Sequence, residues 1–222
     1  HSKQTMWLEA LIILLALAGA LAARPWRMLA SRKPLAHETH GSASALWTPL
    51  CATLVFLPWM WALPTLHAMP LQLQWSGACM VVLMLGWPLA IPALVAVGAI
   101  ACLLSPAMGW PDALGAIAWQ GVTPATLALI LGAMVRRFLG THLFVYVLGR
   151  AFLGTVLCLF ASGALYQWSG HPLPGVGDEL SLVARWLMAW GDAFVTGMLT
   201  AIFVAFRPQW LATWSDRLYL RP

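Results

Sequence analysis

The sequence predicts an all-α, polytopic integral membrane protein with about seven transmembrane helices. Of its 222 residues, 61% are hydrophobic and only 9% are charged, and the mean hydropathy of +0.81 lies outside the range of soluble domains. The apolar runs are unbroken and close to about 20 residues long, whereas a transmembrane β-barrel shows segments of about 10 residues with alternating polarity. The basic residues stand at the ends of these runs, so they report membrane orientation and we expect no nucleic-acid partner.

The chain forms a single predicted membrane domain. Its seven helices are predicted at residues 6–23, 46–66, 73–85, 89–104, 114–135, 142–166 and 182–206, followed by a tail at 207–222. The apolar tract at 71–104 is too long for one span, and Gly86-Trp87-Pro88 is the breaker that divides it. The first run is predicted to be retained as a helix, because Arg24 and Arg27 follow it where a signal peptide would have its cleavage site.

The basic residues also orient the helices. With the amino terminus outside and the carboxyl terminus in the cytoplasm, nine of the twelve basic residues lie on cytoplasmic flanks, the exceptions being Lys3, Arg150 and Arg185. An even number of spans would break this pattern. The same topology places the turns near residues 67–70, 105–112 and 167–179 at the outer face. We therefore predict a protein of a bacterial inner (cytoplasmic) membrane.

Two predicted helices carry a charge inside the membrane. Arg150 lies in the sixth helix and Asp192 lies near the middle of the seventh, and these helices are consecutive and antiparallel. An unpaired charge at this depth costs at least about 2.5 kcal/mol. Two interpretations follow: a buried ion pair that fixes helix packing, or a charge used in substrate passage or coupling.

Three of the six histidines are predicted at the outer face, namely His1, His67 and His171, and they are candidate metal ligands. Neutral imidazole binds nickel, cobalt, copper and zinc, and Met69 or the free amino terminus is available to complete such a site. No HxH or HxxxH spacing supports this site, and a solvated loop histidine is the commoner case. The sequence also has no GxSxG, P-loop or HExxH motif, so we do not expect an enzyme.

Three stretches resemble one known family. They are RRFLGTHLFVYVLG at 136–149, DAFVTGM at 192–198 continuing to RPQWLATW at 207–214, and LGWPLA at 85–90. Together they are similar to the membrane permease or substrate-binding components of energy-coupling factor (ECF) ABC transporters, in the cobalt and nickel uptake branch. The resemblance covers roughly the last two thirds of the chain.

This resemblance implies a small helical membrane protein that captures a divalent transition metal, nickel or cobalt, as its substrate at the outer face. It also implies a membrane coupling subunit and cytoplasmic ATPases as partners. In the metal-uptake branch a Met-His amino terminus supplies ligands, and His1 matches it if a Met precedes it. The chain departs from relatives at Asp192, where Glu is frequent, and at Gln74, where a His stands. The alternative is a non-transporting membrane partner or assembly factor that kept the fold but lost the metal site.

Overall fold

The computed structural model describes residues 2–30, 46–67, 75–171, 173, 175–214 and 219–220. In this part of the chain the main helices are α1 Ser2–Ala22, α2 Trp47–Leu66, α3 Ala78–Leu85, α4 Trp87–Leu104, α5 Trp110–Phe138, α6 Val145–Trp168 and α7 Asp178–Phe206. All of these except α3 are long and apolar enough to cross a membrane, which makes six candidate spans among the described residues. The predicted all-α, polytopic membrane fold is confirmed.

The third predicted helix, at residues 73–85, is shorter than a span. Helix α3 has eight residues, a length of about 12 Å, whereas the hydrocarbon core of a bilayer is about 30 Å thick. Gly77 precedes it with φ 67° and Gly86 follows it with φ 77°, a backbone region that favours glycine. The described residues therefore contain six candidate spans and one half-helix, divided from α4 at the predicted breaker. Because the orientation predicted from the basic residues needs an odd number of crossings, it requires that the chain also crosses between the end of α2 and the start of α4.

Helix α3 is enclosed by the rest of the bundle. Seven of its eight residues are buried, and it packs against α4, α5 and α7. Every helix leaves unpaired N–H groups at its start and unpaired C=O groups at its end, and these are costly where water is absent. Both ends of α3 therefore need hydrogen-bond partners from elsewhere in the chain.

The largest apolar core joins α1, α2, α4 and α5 and contains the indole of Trp61, which is fully buried. Gly121 on α5 leaves room for this ring, since a Cβ there would lie 3.1 Å from it, whereas Gly98 on α4 leaves room for the side chain of Ile117. The Trp61 Nε1–H donates to the backbone carbonyl of Ser76 at 3.0 Å. The core thereby holds the short segment that leads into α3.

The predicted tail at 207–222 is part of the packed structure where it is described. After α7 the chain forms a 3-10 turn, Pro208–Trp210, and then buries Leu211, Trp214 and Tyr219. These three side chains form a second apolar core with residues of α3 and α6, namely Met80, Leu83, Tyr146 and Ala151. The carboxyl-terminal segment is thus packed directly against α3.

Candidate substrate cavity

A cavity of about 490 Å³ lies within the bundle and reaches from the start of α1 to Asp192 in the middle of α7. This volume falls in the range of about 300–1,000 Å³ that is typical of small-molecule sites. Its apolar wall includes Met6, Met108, Trp119, Leu159, Leu173 and Met188. Its polar lining comprises Thr5, Glu9, Thr65, Ser76, Asp112, Gln120, Tyr166, His171, Arg185 and Asp192.

Two helix ends and two connections of the chain meet at this cavity. The topology predicted from the basic residues assigns all four to one membrane face, the outer one. Each contributes lining residues: the start of α1, the end of α2, the turn before α5 and the connection from α6 to α7, with Thr5, Thr65, Met108 and His171 respectively. The fold therefore gathers these connections around a single polar cavity.

Asp192 lies at the inner end of the cavity, only 5% exposed, and it binds the start of α3. Its Oδ2 accepts the backbone N–H of Ser76 at 2.8 Å and that of Gly77 at 3.4 Å, and its Oδ1 accepts the Thr196 hydroxyl at 3.2 Å. The amino-terminal end of a helix carries partial positive charge, which favours an anion there. Asp192 therefore holds the two residues that lead into α3 from another helix.

The other end of α3 is bound by the carboxyl-terminal segment. The N–H of Ala212 donates to the Met84 carbonyl at 2.9 Å, and the N–H of Thr213 donates to the Leu83 carbonyl at 3.3 Å. The Thr213 hydroxyl also donates to the Leu83 carbonyl at 2.8 Å and lies 2.6 Å from the Tyr146 hydroxyl. These bonds satisfy carbonyls in the last turn of α3, which have no partner within the helix.

Glu9 on α1 is the second buried carboxyl group of the cavity, with 4% exposure. Its Oε1 accepts the indole N–H of Trp119 at 3.2 Å. The carboxyl group lies beside Gly115 of α5, where an added Cβ would be in ordinary contact, 3.6 Å from the same oxygen. Trp119 belongs to a π-helical segment of α5, Ile117–Val122, and such segments occur frequently at functional sites.

The two buried carboxyl groups are connected through α5 by hydrogen bonds to neighbouring residues of that helix. Glu9 is bound by the Trp119 side chain, and the next carbonyl along α5, that of Gln120, accepts the Ser76 hydroxyl. Ser76 in turn donates its backbone N–H to Asp192. Because this connection includes backbone groups of the π-helical segment, the spacing of the two carboxyl groups depends on that segment.

Arg185 on α7 provides positive charge in the cavity wall. Its Nη2 donates to the His171 carbonyl at 3.0 Å and its Nε to the Gln167 side-chain oxygen at 3.4 Å. Its guanidinium also lies 5.3 Å from the centroid of the Tyr166 ring. Three groups from α6 and the following connection thus orient this side chain, one of the three basic residues that departed from the predicted cytoplasmic pattern.

Asp112 is the third carboxyl group and is exposed, in the first turn of α5. Its Oδ2 accepts the N–H of Gly109 at 3.1 Å. Three carboxyl groups, those of Glu9, Asp112 and Asp192, therefore line the cavity against the single guanidinium of Arg185. When all four are ionised, this lining carries a net negative charge, and such a cavity favours a cation.

The three predicted histidine ligands are not brought together in the part of the chain that is described. His171 lines the cavity, where its ring stacks on Tyr166 at 4.5 Å and its Nδ1 lies 3.2 Å from the Ser169 hydroxyl. His67 is exposed just after the end of α2, outside the cavity lining, and His1 lies outside the described residues. Among the described residues, no group of three or more His, Cys, Asp or Glu side chains is arranged to hold a metal ion.

The predicted pair of Arg150 and Asp192 does not form. The Arg150 guanidinium lies over the Tyr146 ring, 5.8 Å from its centroid. It also packs on Gly132 of α5, where an added Cβ would lie 2.7 Å from Nε. The two side chains point to different helices, because Arg150 faces α5 while Asp192 faces α3 and the cavity. Of the two interpretations, the ion pair with Arg150 is not found, and the charge used in substrate passage or coupling stays a prediction.

Two features of the cavity were missed at the sequence level. Glu9 could have been identified from the sequence as a candidate site residue, since it is an acid inside the first apolar run. Ionisable residues in membrane helices generally have a function. The binding of Asp192 to Ser76 and Gly77 could not have been predicted from the sequence, because 115 or more residues separate the partners. Only the fold brings those groups together.

Comparisons with known proteins do not place the chain in a family. No family model, no curated protein and no solved structure matches it. Its function is therefore inferred from the cavity together with the sequence resemblance described above.

Proposed function

We propose that the chain is the membrane substrate-capture component of an ECF-type transporter, with a divalent transition metal, nickel or cobalt, as its substrate. The observation that carries the proposal is that Glu9 and Asp192, on helices from opposite ends of the chain, are both buried and line one cavity. Buried carboxylates in a membrane domain are costly unless a cation or a function compensates them. A cationic substrate supplies that compensation.

The chemistry of the lining supports a divalent cation. Carboxylate oxygens come from three helices, and His171 adds an imidazole, a ligand that suits nickel and cobalt. At about 30 Å³ per liquid water molecule, the cavity of about 490 Å³ holds roughly sixteen waters. A cation is therefore expected to enter with part of its hydration shell.

The partners and location follow from the sequence resemblance. We propose a membrane coupling subunit and cytoplasmic ATPases as partners, in a bacterial inner membrane with the amino terminus outside. The membrane location is supported by six described helices that are long and apolar enough to span a bilayer. In this orientation the cavity opens to the outer face, as substrate capture requires.

Calorimetric titration of the detergent-purified protein with NiCl2 and CoCl2, each alone, tests the proposal. We expect saturable binding, weakened at least about tenfold by Glu9→Gln and by Asp192→Asn, because each change removes one charge-assisted contact. His171→Ala should weaken it in the same way. Glu179→Gln is the matched control, since this exposed acid at the start of α7 is outside the cavity lining. The affinity of this variant for each metal should equal that of the wild type.

Two results would contradict the proposal. One is that neither metal binds to the wild-type protein, and the other is that binding survives Glu9→Gln and Asp192→Asn unchanged. The competing hypothesis is a non-transporting membrane partner that lost the metal site, motivated by Gln74, which lies outside the described residues. Copurification from native membranes separates the two: ATPases and a coupling subunit support transport, whereas a different complex in their place supports the competing hypothesis.

A further inference from the structure

We infer that α3 couples the state of the cavity to the packing of the carboxyl-terminal segment, residues 208–214. The inference goes beyond substrate capture and rests on the proposed function only for the identity of the substrate. The coupling itself is argued from hydrogen bonds at the two ends of α3. One end is held by a cavity residue and the other by the carboxyl-terminal segment.

At the cavity end, one carboxyl group has two roles. Asp192 lines the cavity, and its Oδ2 holds the N–H groups of Ser76 and Gly77. A cation bound to this carboxylate draws on the same oxygens and reduces the negative charge that the start of α3 experiences. Occupancy of the cavity therefore changes the interaction that fixes the start of α3.

Helix α3 is built to transmit that change as a unit. It is short and almost entirely buried, so its packing contacts hold it as one rigid element. It lies between two glycines in the left-handed region, Gly77 and Gly86. A few residues at the ends of an element absorb the backbone changes in hinge motions, and these two glycines are at those positions.

At the far end, α3 holds the carboxyl-terminal segment through its last turn. The carbonyls of Leu83 and Met84 accept the N–H groups of Thr213 and Ala212, and Tyr146 shares the Thr213 hydroxyl. Displacement of α3 lengthens these bonds and releases the segment. Because coupling free energies are reciprocal, release of the segment must also loosen the cavity end.

Amide hydrogen exchange, followed by mass spectrometry without any added substrate, tests the coupling directly. In Asp192→Asn we expect faster exchange at Ser76 and Gly77 and, in the same sample, about 5- to 150-fold faster exchange at Ala212 and Thr213. Glu179→Gln is the matched control, because it removes an exposed carboxylate at the start of α7 that is outside the cavity lining. Its exchange at Ala212 and Thr213 should equal that of the wild type.

The reciprocal variant is Thr213→Val, which removes the hydroxyl bonds and keeps the side-chain volume. It should speed exchange at Ser76 and Gly77, so the coupling is testable even if Asp192→Asn fails to fold. The inference is overturned if each variant changes exchange only at its own end of α3. It is also overturned if NiCl2 binds by calorimetry and leaves exchange at Ala212 and Thr213 unchanged, whereas absent nickel binding counts against the proposed substrate alone.

Discussion

Asp192 is held by backbone amides even though an arginine is available on the neighbouring helix. The amides of Ser76 and Gly77 belong to the backbone, so binding them immobilises no second long side chain. Arg150 would have to immobilise a long side chain to reach the same group, and it instead covers Gly132 and Tyr146. The start of a buried half-helix thus takes the position that the arginine of the neighbouring helix was predicted to occupy.

A double-mutant cycle tests this assignment. We expect the effects of Arg150→Met and Asp192→Asn on the free energy of unfolding to add within about 0.5 kcal/mol, because the two groups share no contact. Chemical denaturation in detergent micelles gives both values. Asp192→Asn combined with Thr196→Val is the positive control and should be non-additive, since these side chains are hydrogen-bonded. A coupling above about 1 kcal/mol between residues 150 and 192 would restore the ion pair.

At the scale of the element, α3 is possible only because its surroundings supply what water supplies to an exposed helix. Asp192 binds the amides of the two residues just before α3, and residues 212 and 213 bind carbonyls of its last turn. Its hydrophobic residues are covered by α4, α5 and α7. A half-helix of this kind lets backbone amides reach the middle of a membrane domain, which a complete span does not allow.

Gly77 at the start of α3 tests the need for this local geometry. Gly77→Ala places a side chain at φ 67°, which costs about 1–2 kcal/mol, and puts its Cβ 2.8 Å from Leu57 Cδ1. We expect a loss of stability of at least that size in thermal melts. Gly191→Ala on α7 is the control, since nothing lies within 4 Å of its Cβ position, and a helix gains up to about 1 kcal/mol from this change. Equal melting temperatures of Gly77→Ala and the wild type would contradict the need for glycine at this position.

At the scale of the whole molecule, the carboxyl-terminal segment is a structural part of the membrane domain. Trp214 is buried, stacks on Tyr219 at 4.7 Å and contacts Tyr146 edge to face at 5.0 Å. This aromatic cluster fixes α3, α6 and the end of the chain against one another. The polar cavity and this cluster therefore lie at opposite ends of the same short helix.

Removal of this cluster should destabilise the entire fold. We expect Trp214→Ala to lower the free energy of unfolding by about 3–5 kcal/mol, as for other buried tryptophans. Trp168→Ala is the matched control, because that indole is 87% exposed, and its effect should stay within about 0.5 kcal/mol. Thermal unfolding followed by tryptophan fluorescence gives both values. A small effect at Trp214 would show that the segment packs without contributing to stability.

Prediction succeeded where the information is local and failed where it is distant. The long apolar runs and the break at Gly86 were predicted, because composition and glycine act within a few residues. The partner of Asp192 was predicted wrongly, because neighbouring helices suggested Arg150 and nothing local indicates that the short third helix begins beside Asp192. His171 was chosen by topology and does line the cavity, whereas His67, chosen on the same grounds, lies outside the lining.

The sequence by itself determined that this protein is a helical membrane protein, because hydropathy and the length of the apolar runs are properties of consecutive residues and do not depend on how the chain packs. It also indicated which connections share one membrane face. The tertiary structure alone decided that these connections enclose a cavity, that Glu9 and Asp192 both face it, and that α3 is held at both ends. Those outcomes depend on which helix packs against which, and that choice is made by contacts between residues more than a hundred positions apart.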